Sequence, residues 1–176
     1  MGFDYHGEQE RHQADFYSTP AWATEAMLER VSLYGETWEP ACGDGAIARL
    51  LPERVMATDL YYRGYGEGDV DFLSCITRKA VDNIVTNPPF RLAEEFVRKA
   101  LTLTKRKVVM FLRLQFMESK KRYRLFQDTP LARVLVFSRR VSCGLGGEVY
   151  TGGKVAHAWF VWEHDHEGNP ELEWIP

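Results

Sequence analysis

No stretch of the 176 residues comes near the roughly 18 consecutive apolar residues that a membrane-spanning helix needs, so no membrane partner is expected. Residues Met1 to His6 lack a basic segment followed by an apolar one, and position 6 is neither Ser nor Thr. Neither a secretory signal nor a myristoylation pattern is read there. Cysteine is scarce: Cys42, Cys75 and Cys143 are odd in number and far apart. That excludes a disulfide framework and a CxxC metal knuckle. Internal repeats, low-complexity tracts and linkers are absent too. The expectation is a soluble, cytoplasmic chain, and nothing in it sets an oligomeric state.

What is present is a globular composition, 45% apolar and 13% aromatic. The length suits one domain, residues 1–176, with 1–16 as a loose polar arm. The net charge of −3 hides an asymmetry. Residues 1–90 carry 7 basic and 15 acidic side chains, residues 91–140 carry 14 and 4, and residues 141–176 carry 1 and 6. A basic middle between acidic ends suits a polyanionic partner, DNA above all.

The pattern alternates strands and helices. Thr19-Pro20 opens a helix with Ala23, Ala26, Met27, Val31 and Leu33 as its apolar positions, ended by Tyr34-Gly35. Strands are expected at 37–41, 55–60, 82–86, 107–114, 132–137 and 156–163, the last as the final strand. Helices are expected at 46–51, 92–103 and 119–127, and a Gly-rich loop at 144–153. Continuous apolar strands separated by helices imply a mostly parallel sheet covered on both faces. Ligands of such sheets sit beyond the carboxyl ends of the strands. Two unusual peptides, 39–45 and 87–90, each follow a strand, so they should meet on one edge.

Glu39-Pro40-Ala41-Cys42-Gly43-Asp44-Gly45 has two glycines between a strand and a helix, which lets a ligand approach the backbone. Asp59, beside Leu60 at the second strand's end, can accept ribose hydroxyls. The loop's own acids, Glu39 and Asp44, suit a cation rather than a pyrophosphate. A ribose, a sulfonium and an ammonium together describe S-adenosylmethionine. Asp71-Phe72, placed at the end of a third strand, either reads an adenine or is a solvated acid beside a core ring. In Asn87-Pro88-Pro89-Phe90, two prolines stiffen the backbone and remove two donors. The Pro88 carbonyl and the Asn87 side-chain oxygen then become two acceptors for one NH₂ group, with Phe90 to stack on its planar ring.

Together these residues resemble the S-adenosylmethionine-dependent N6-adenine methyltransferases of DNA. The likeness covers residues 15 to 115 well and the remainder loosely. It implies a Rossmann-like α/β methyltransferase fold and a catalytic Asn87-Pro88-Pro89-Phe90. Implied cofactor contacts are Phe16, Tyr17, Thr19 and Pro20 of an upstream motif beginning at Asp15, and the loop residues Glu39, Pro40, Ala41, Cys42, Gly43, Asp44 and Gly45. Asp59, Leu60, Asp71, Phe72 and Asn87 complete the set. Only 86 residues follow Phe90, so no separate target-recognition domain is expected. That resembles the compact phage- or prophage-type enzymes. RNA adenine, a protein glutamine amide and a non-catalytic cofactor-binding module are the competing readings.

Phosphate contacts are expected from Lys120, Lys121, Arg122 and Arg124 on a basic helix and from Arg139 and Arg140 at a strand end. Cys42 is read as a packing residue, Trp159 and Trp162 as core or sheet surface, and His164-Asp165-His166 as a solvated terminus; no metal site is expected.

Overall fold

The apolar runs form the middle of one seven-stranded sheet in the computed structural model, which describes residues 16–52, 54–75, 80–145 and 155–176. Most of the expected arm, Asp15 of the upstream motif and most of the Gly-rich loop lie outside the described residues. The elements are β1 (Tyr17–Ser18), α1 (Ala21–Leu28), β2 (Thr37–Glu39), β3 (Val55–Ala57), β4 (Val81–Thr86), α2 (Ala93–Leu103), β5 (Thr104–Arg113), α3 (Tyr123–Asp128), β6 (Leu131–Phe137), β7 (Gly144–Leu145), β8 (His157–Glu163) and β9 (Glu171–Ile175). The large sheet runs β3-β2-β4-β5-β8-β6-β9. β8 is antiparallel to β5 and β6, and the other pairings are parallel. β1 and β7 form a separate antiparallel ribbon. Among the described residues no helix is long and apolar enough to cross a membrane.

Burial on both faces explains why the central strands do not alternate with polar residues. Val108, Met110 and Leu112 of β5 pack with Phe160 and Trp162 against α2 and Leu125 of α3. Val109 and Phe111 turn the other way, with Trp159 and Val161, against Ala23, Ala26 and Met27 of α1. Trp159 and Trp162 are core residues whose indole N–H groups are satisfied. Trp159 donates to the Ala23 carbonyl at 2.8 Å and Trp162 to the Thr129 hydroxyl at 3.0 Å. Ala93, Phe96, Val97 and Ala100 make the buried stripe of α2, at helical spacing.

Several elements depart from the sequence pattern. α1 stops at Leu28, and Val31 and Leu33 are buried outside any helix or strand. The helix expected at 46–51 is a turn and a 3₁₀ segment, Ala48–Leu50. Gly43 and Gly45 stand at φ +55° and +83°, and Pro52 closes the segment before an α-helix can propagate. The third strand is missing among the described residues. Asp69 takes φ +58° and 72–74 form a turn, leaving only a Thr58–Glu67 bridge beside β3. The basic helix is shorter, because residues 120–122 are a turn. β9 follows the strand expected to be last. Its Glu-Leu-Glu-Trp-Ile alternation is the signal that marks it.

The chain places β3 on one side of β2 and then returns to the other side for β4. That reversal opens a crevice at the carboxyl ends of β2 and β4, where Glu39 and Asn87 lie.

Candidate functional site

A cleft of about 470 Å³ occupies that crevice. It brings together the two peptides that the sequence placed on one edge, with β1 and its flanks as a third wall. Of the expected contacts, Phe16, Tyr17, Thr19, Glu39, Pro40, Ala41, Cys42, Asp44, Asp59, Leu60, Asp71, Phe72 and Asn87 line it, as do Pro88, Pro89 and Phe90. Pro20, Gly43 and Gly45 stand outside the lining.

The glycines have a local reason to be glycine. A Cβ on Gly43 would fall 2.0 Å from the Phe16 ring, and one on Gly45 would fall 2.5 Å from the Tyr65 ring. Each ring carries a guanidinium: Arg63 lies 4.7 Å from the Phe16 centroid and Arg49 lies 4.3 Å from that of Tyr65. Aromatic packing, rather than ligand approach, therefore occupies the space these residues leave. Cys42 is buried, and burial with the nearby Glu39 and Asp59 pushes its thiol up to about 12, as suits a packing residue.

Asp59 shapes the loop. One carboxylate oxygen accepts from the Gly43 N–H at 2.8 Å and the other from the Tyr61 N–H at 2.9 Å. Asp44 accepts from the Ala46 N–H at 3.1 Å and from the Ser18 hydroxyl at 3.2 Å, tying β1 to the loop. Asp71 is exposed and turned onto its own backbone, accepting from the Leu73 N–H and the Ser74 hydroxyl. Phe72 packs edge-on against Trp38 at 5.1 Å as a core ring with one edge on the cleft.

Glu39 is only 1% exposed, and its Oε2 has no partner. Burial, then Asp59 and Asp44, hold its carboxyl well above the ordinary 4.5, against a hydrogen bond from the Ala48 backbone. The folded chain thus keeps this proton where the unfolded chain has lost it. Stability should fall as pH rises from about 4.5 through the folded value. Glu39→Gln should lack that fall in denaturant melts across pH. An equal fall in the variant would refute the assignment.

Asn87 is held by its nitrogen. Nδ2 donates to the Tyr17 carbonyl and to the Thr19 hydroxyl, both at 3.0 Å. Its oxygen, which no described donor reaches, is left to accept from a ligand. Phe90 neighbours Tyr17 at 5.7 Å and His157 at 6.3 Å between centroids, and the Arg113 guanidinium lies 4.0 Å from its centroid.

The expected phosphate contacts divide. Lys120, Lys121, Arg124 and Arg140 are exposed. Arg122 is not a free cation. It donates to the carbonyls of Phe116, Gln115 and Glu118 and lies over the Phe116 ring, fastening the turn before α3. Arg139 lies 3.8 Å from the Trp22 centroid. His164 pairs through its ring with the Thr104 hydroxyl. The sequence did not single out Ser18, Leu73, Arg91 or Leu92 of the lining, nor Arg113 and His157 beside Phe90. Ser18, inside the upstream motif, was the most accessible of these.

No family model matches the chain, and no curated protein matches it. Solved structures do. A protein of Listeria monocytogenes assigned to the class I S-adenosylmethionine-dependent methyltransferases superposes with a TM-score of 0.64 at 10% identity, over 88% of this chain and 62% of that one. A protein of Vibrio vulnificus YJ016 assigned as the modification subunit of a type I restriction enzyme gives 0.61 at 12% identity, over 96% and 50%. A dimethyladenosine transferase from Plasmodium falciparum gives 0.59 at 15% identity, over 84% and 63%. The chain spans under two thirds of the length of each. The architecture is the Rossmann-like fold of S-adenosylmethionine-dependent methyltransferases, a mostly parallel sheet with helices on both faces.

Proposed function

We propose that the chain is an S-adenosylmethionine-dependent methyltransferase acting on the exocyclic N6 amine of adenine in DNA. The observation that carries this reading is the Asn87 amide. With both N–H groups engaged by Tyr17 and Thr19, it can present only an acceptor. The Pro88 carbonyl is the second acceptor, and Phe90 is the stacking ring. Two acceptors on one NH₂ group draw its lone pair out of conjugation.

The cleft suits the cofactor. Its volume falls in the roughly 300–1,000 Å³ range of small-molecule sites. The unpartnered Glu39 oxygen suits an ammonium group, Asp59 keeps acceptor capacity for ribose hydroxyls, and Phe72 and Leu73 offer an apolar wall to a base. S-adenosylmethionine, when bound, supplies an electrophilic methyl group on sulfur. The chain's part is to orient the amine and keep acceptors fixed before the reaction. The basic segment 91–140 supports nucleic acid over a protein amide, and the Vibrio subunit's assignment to a restriction enzyme supports DNA.

Labelled S-adenosylmethionine offered in parallel to duplex DNA, RNA and protein is the test. Label in DNA is expected. Label in RNA or protein alone would overturn the substrate and keep the chemistry.

A further inference from the structure

Beside Phe90, at the carboxyl ends of β5 and β6, positive charge collects with no ion-paired acid among the described residues. Arg113 ends β5, and its register partner across the sheet is His157, the first residue of β8. Arg140 follows the end of β6 on the far side of β8. His157 is 8% exposed, its ring stacked on Phe111 at 5.0 Å and 11°. Its Nδ1 has no partner. Arg113 and Arg140 are both exposed, and among the described residues neither forms an ion pair. Four other cations are ion-paired: Arg30 with Glu173, Arg98 with Glu94, and Lys107 and Arg133 with Glu163. Two exposed arginines at the same sheet edge as a buried imidazole, with no carboxylate paired to them among the described residues, are complementary to an anion.

The position says which anion. Arg113 already rests on Phe90, the ring assigned to the target base. A base stacked there brings its own backbone phosphate to the same edge of the sheet. We propose that Arg113, Arg140 and His157 form the site for the phosphodiester of the nucleotide whose base enters the Phe90 pocket. The proposal rests on the DNA reading of the cleft. Before substrate arrives Arg113 shields the ring, and on binding it exchanges the ring for the phosphate.

The imidazole takes part as a neutral ring. Burial first, then Arg113 and Arg140, lower His157 to about 4, while the Val155 backbone opposes the shift. Among the described residues the charged groups acting on it are Arg113 from β5 and Arg140 beyond β6; its ring neighbours Phe90 and Phe111 carry no charge. A phosphate between the guanidiniums offsets their field but not the burial, so the ring stays neutral and donates to the phosphate from its Nδ1–H tautomer.

The test is salt-dependent binding of a mixed-sequence DNA duplex by wild type, Arg113→Ala, Arg140→Ala and a control, Lys105→Ala, at the opposite end of β5. Each arginine variant should weaken binding about tenfold and reduce the slope of log affinity against log salt by about 1. Arg113→Lys should restore the slope because it restores the charge. The two arginines are exposed, so unchanged melting temperatures should accompany these effects. A wild type that methylates DNA while both variants keep its slope would overturn the phosphate site and leave the enzyme reading standing. A drop equal to that of Lys105→Ala would do the same, since it would report bulk charge only. A wild type with no transfer to DNA would defeat the parent reading and this one with it.

Discussion

Asn87→Ala should lower methyl transfer by at least roughly 10²-fold, the scale for deleting one fixed polar group at a reacting centre, while S-adenosylmethionine affinity changes only a few-fold. The asymmetry follows from the side chain's two ends. Its nitrogen binds the Tyr17 carbonyl and the Thr19 hydroxyl, so the loss to the cleft is one anchor of β1. In the proposed role its oxygen faces the amine, so the reaction would lose one of its two acceptors. Asn87→Asp probes the same geometry more narrowly. A carboxylate oxygen would replace Nδ2 3.0 Å from the Tyr17 carbonyl, acceptor against acceptor. This variant should therefore also be impaired although it keeps an acceptor for the substrate. Calorimetry with the cofactor beside a transfer assay reads both quantities. A fall in cofactor affinity as large as the fall in transfer would remove Asn87 from the role of amine acceptor.

Asp59→Ala should weaken S-adenosylmethionine binding by about 1–3 kcal/mol, the scale for unpaired buried polar groups. Asp59 is 8% exposed and tied to both Gly43 and Tyr61, so its removal strips acceptors from two backbone N–H groups as well as from the ligand. The melting temperature should fall too, because the Gly43 turn loses the hydrogen bond that closes it onto β3. Asp59→Asn keeps one acceptor oxygen and should fall between wild type and alanine in both readouts. Unchanged cofactor binding in the alanine variant would place the ribose-facing acid elsewhere, with Glu36 and Glu39 next in line.

The edge on which the site lies was legible in the sequence because strand-then-loop order alone dictates it. Glu39 ends β2 and Asn87 follows the end of its parallel neighbour β4, so their loops must emerge together. The stripe on α2 and the core role of Trp159 and Trp162 were legible because helical spacing and bulk decide them. Long-range contacts decide the rest. Nothing near Gly43 announces that Phe16 will cover it, and nothing near Arg122 announces the three carbonyls it fastens. The missing third strand reflects local backbone strain, since Asp69 adopts a left-handed conformation that interrupts an extended run. Arg113 and His157 escaped notice because they come from strands 44 residues apart in sequence and meet only through the β5–β8 register.

Methylation of adenine N6 in DNA is read most plainly by mass spectrometry of the nucleosides released from duplex DNA incubated with the chain and S-adenosylmethionine. N6-methyladenine should appear above the no-enzyme level and be absent with Asn87→Ala. Methyl groups on another base, or no methylated nucleoside from a chain that binds the cofactor and the duplex, would contradict the proposed activity.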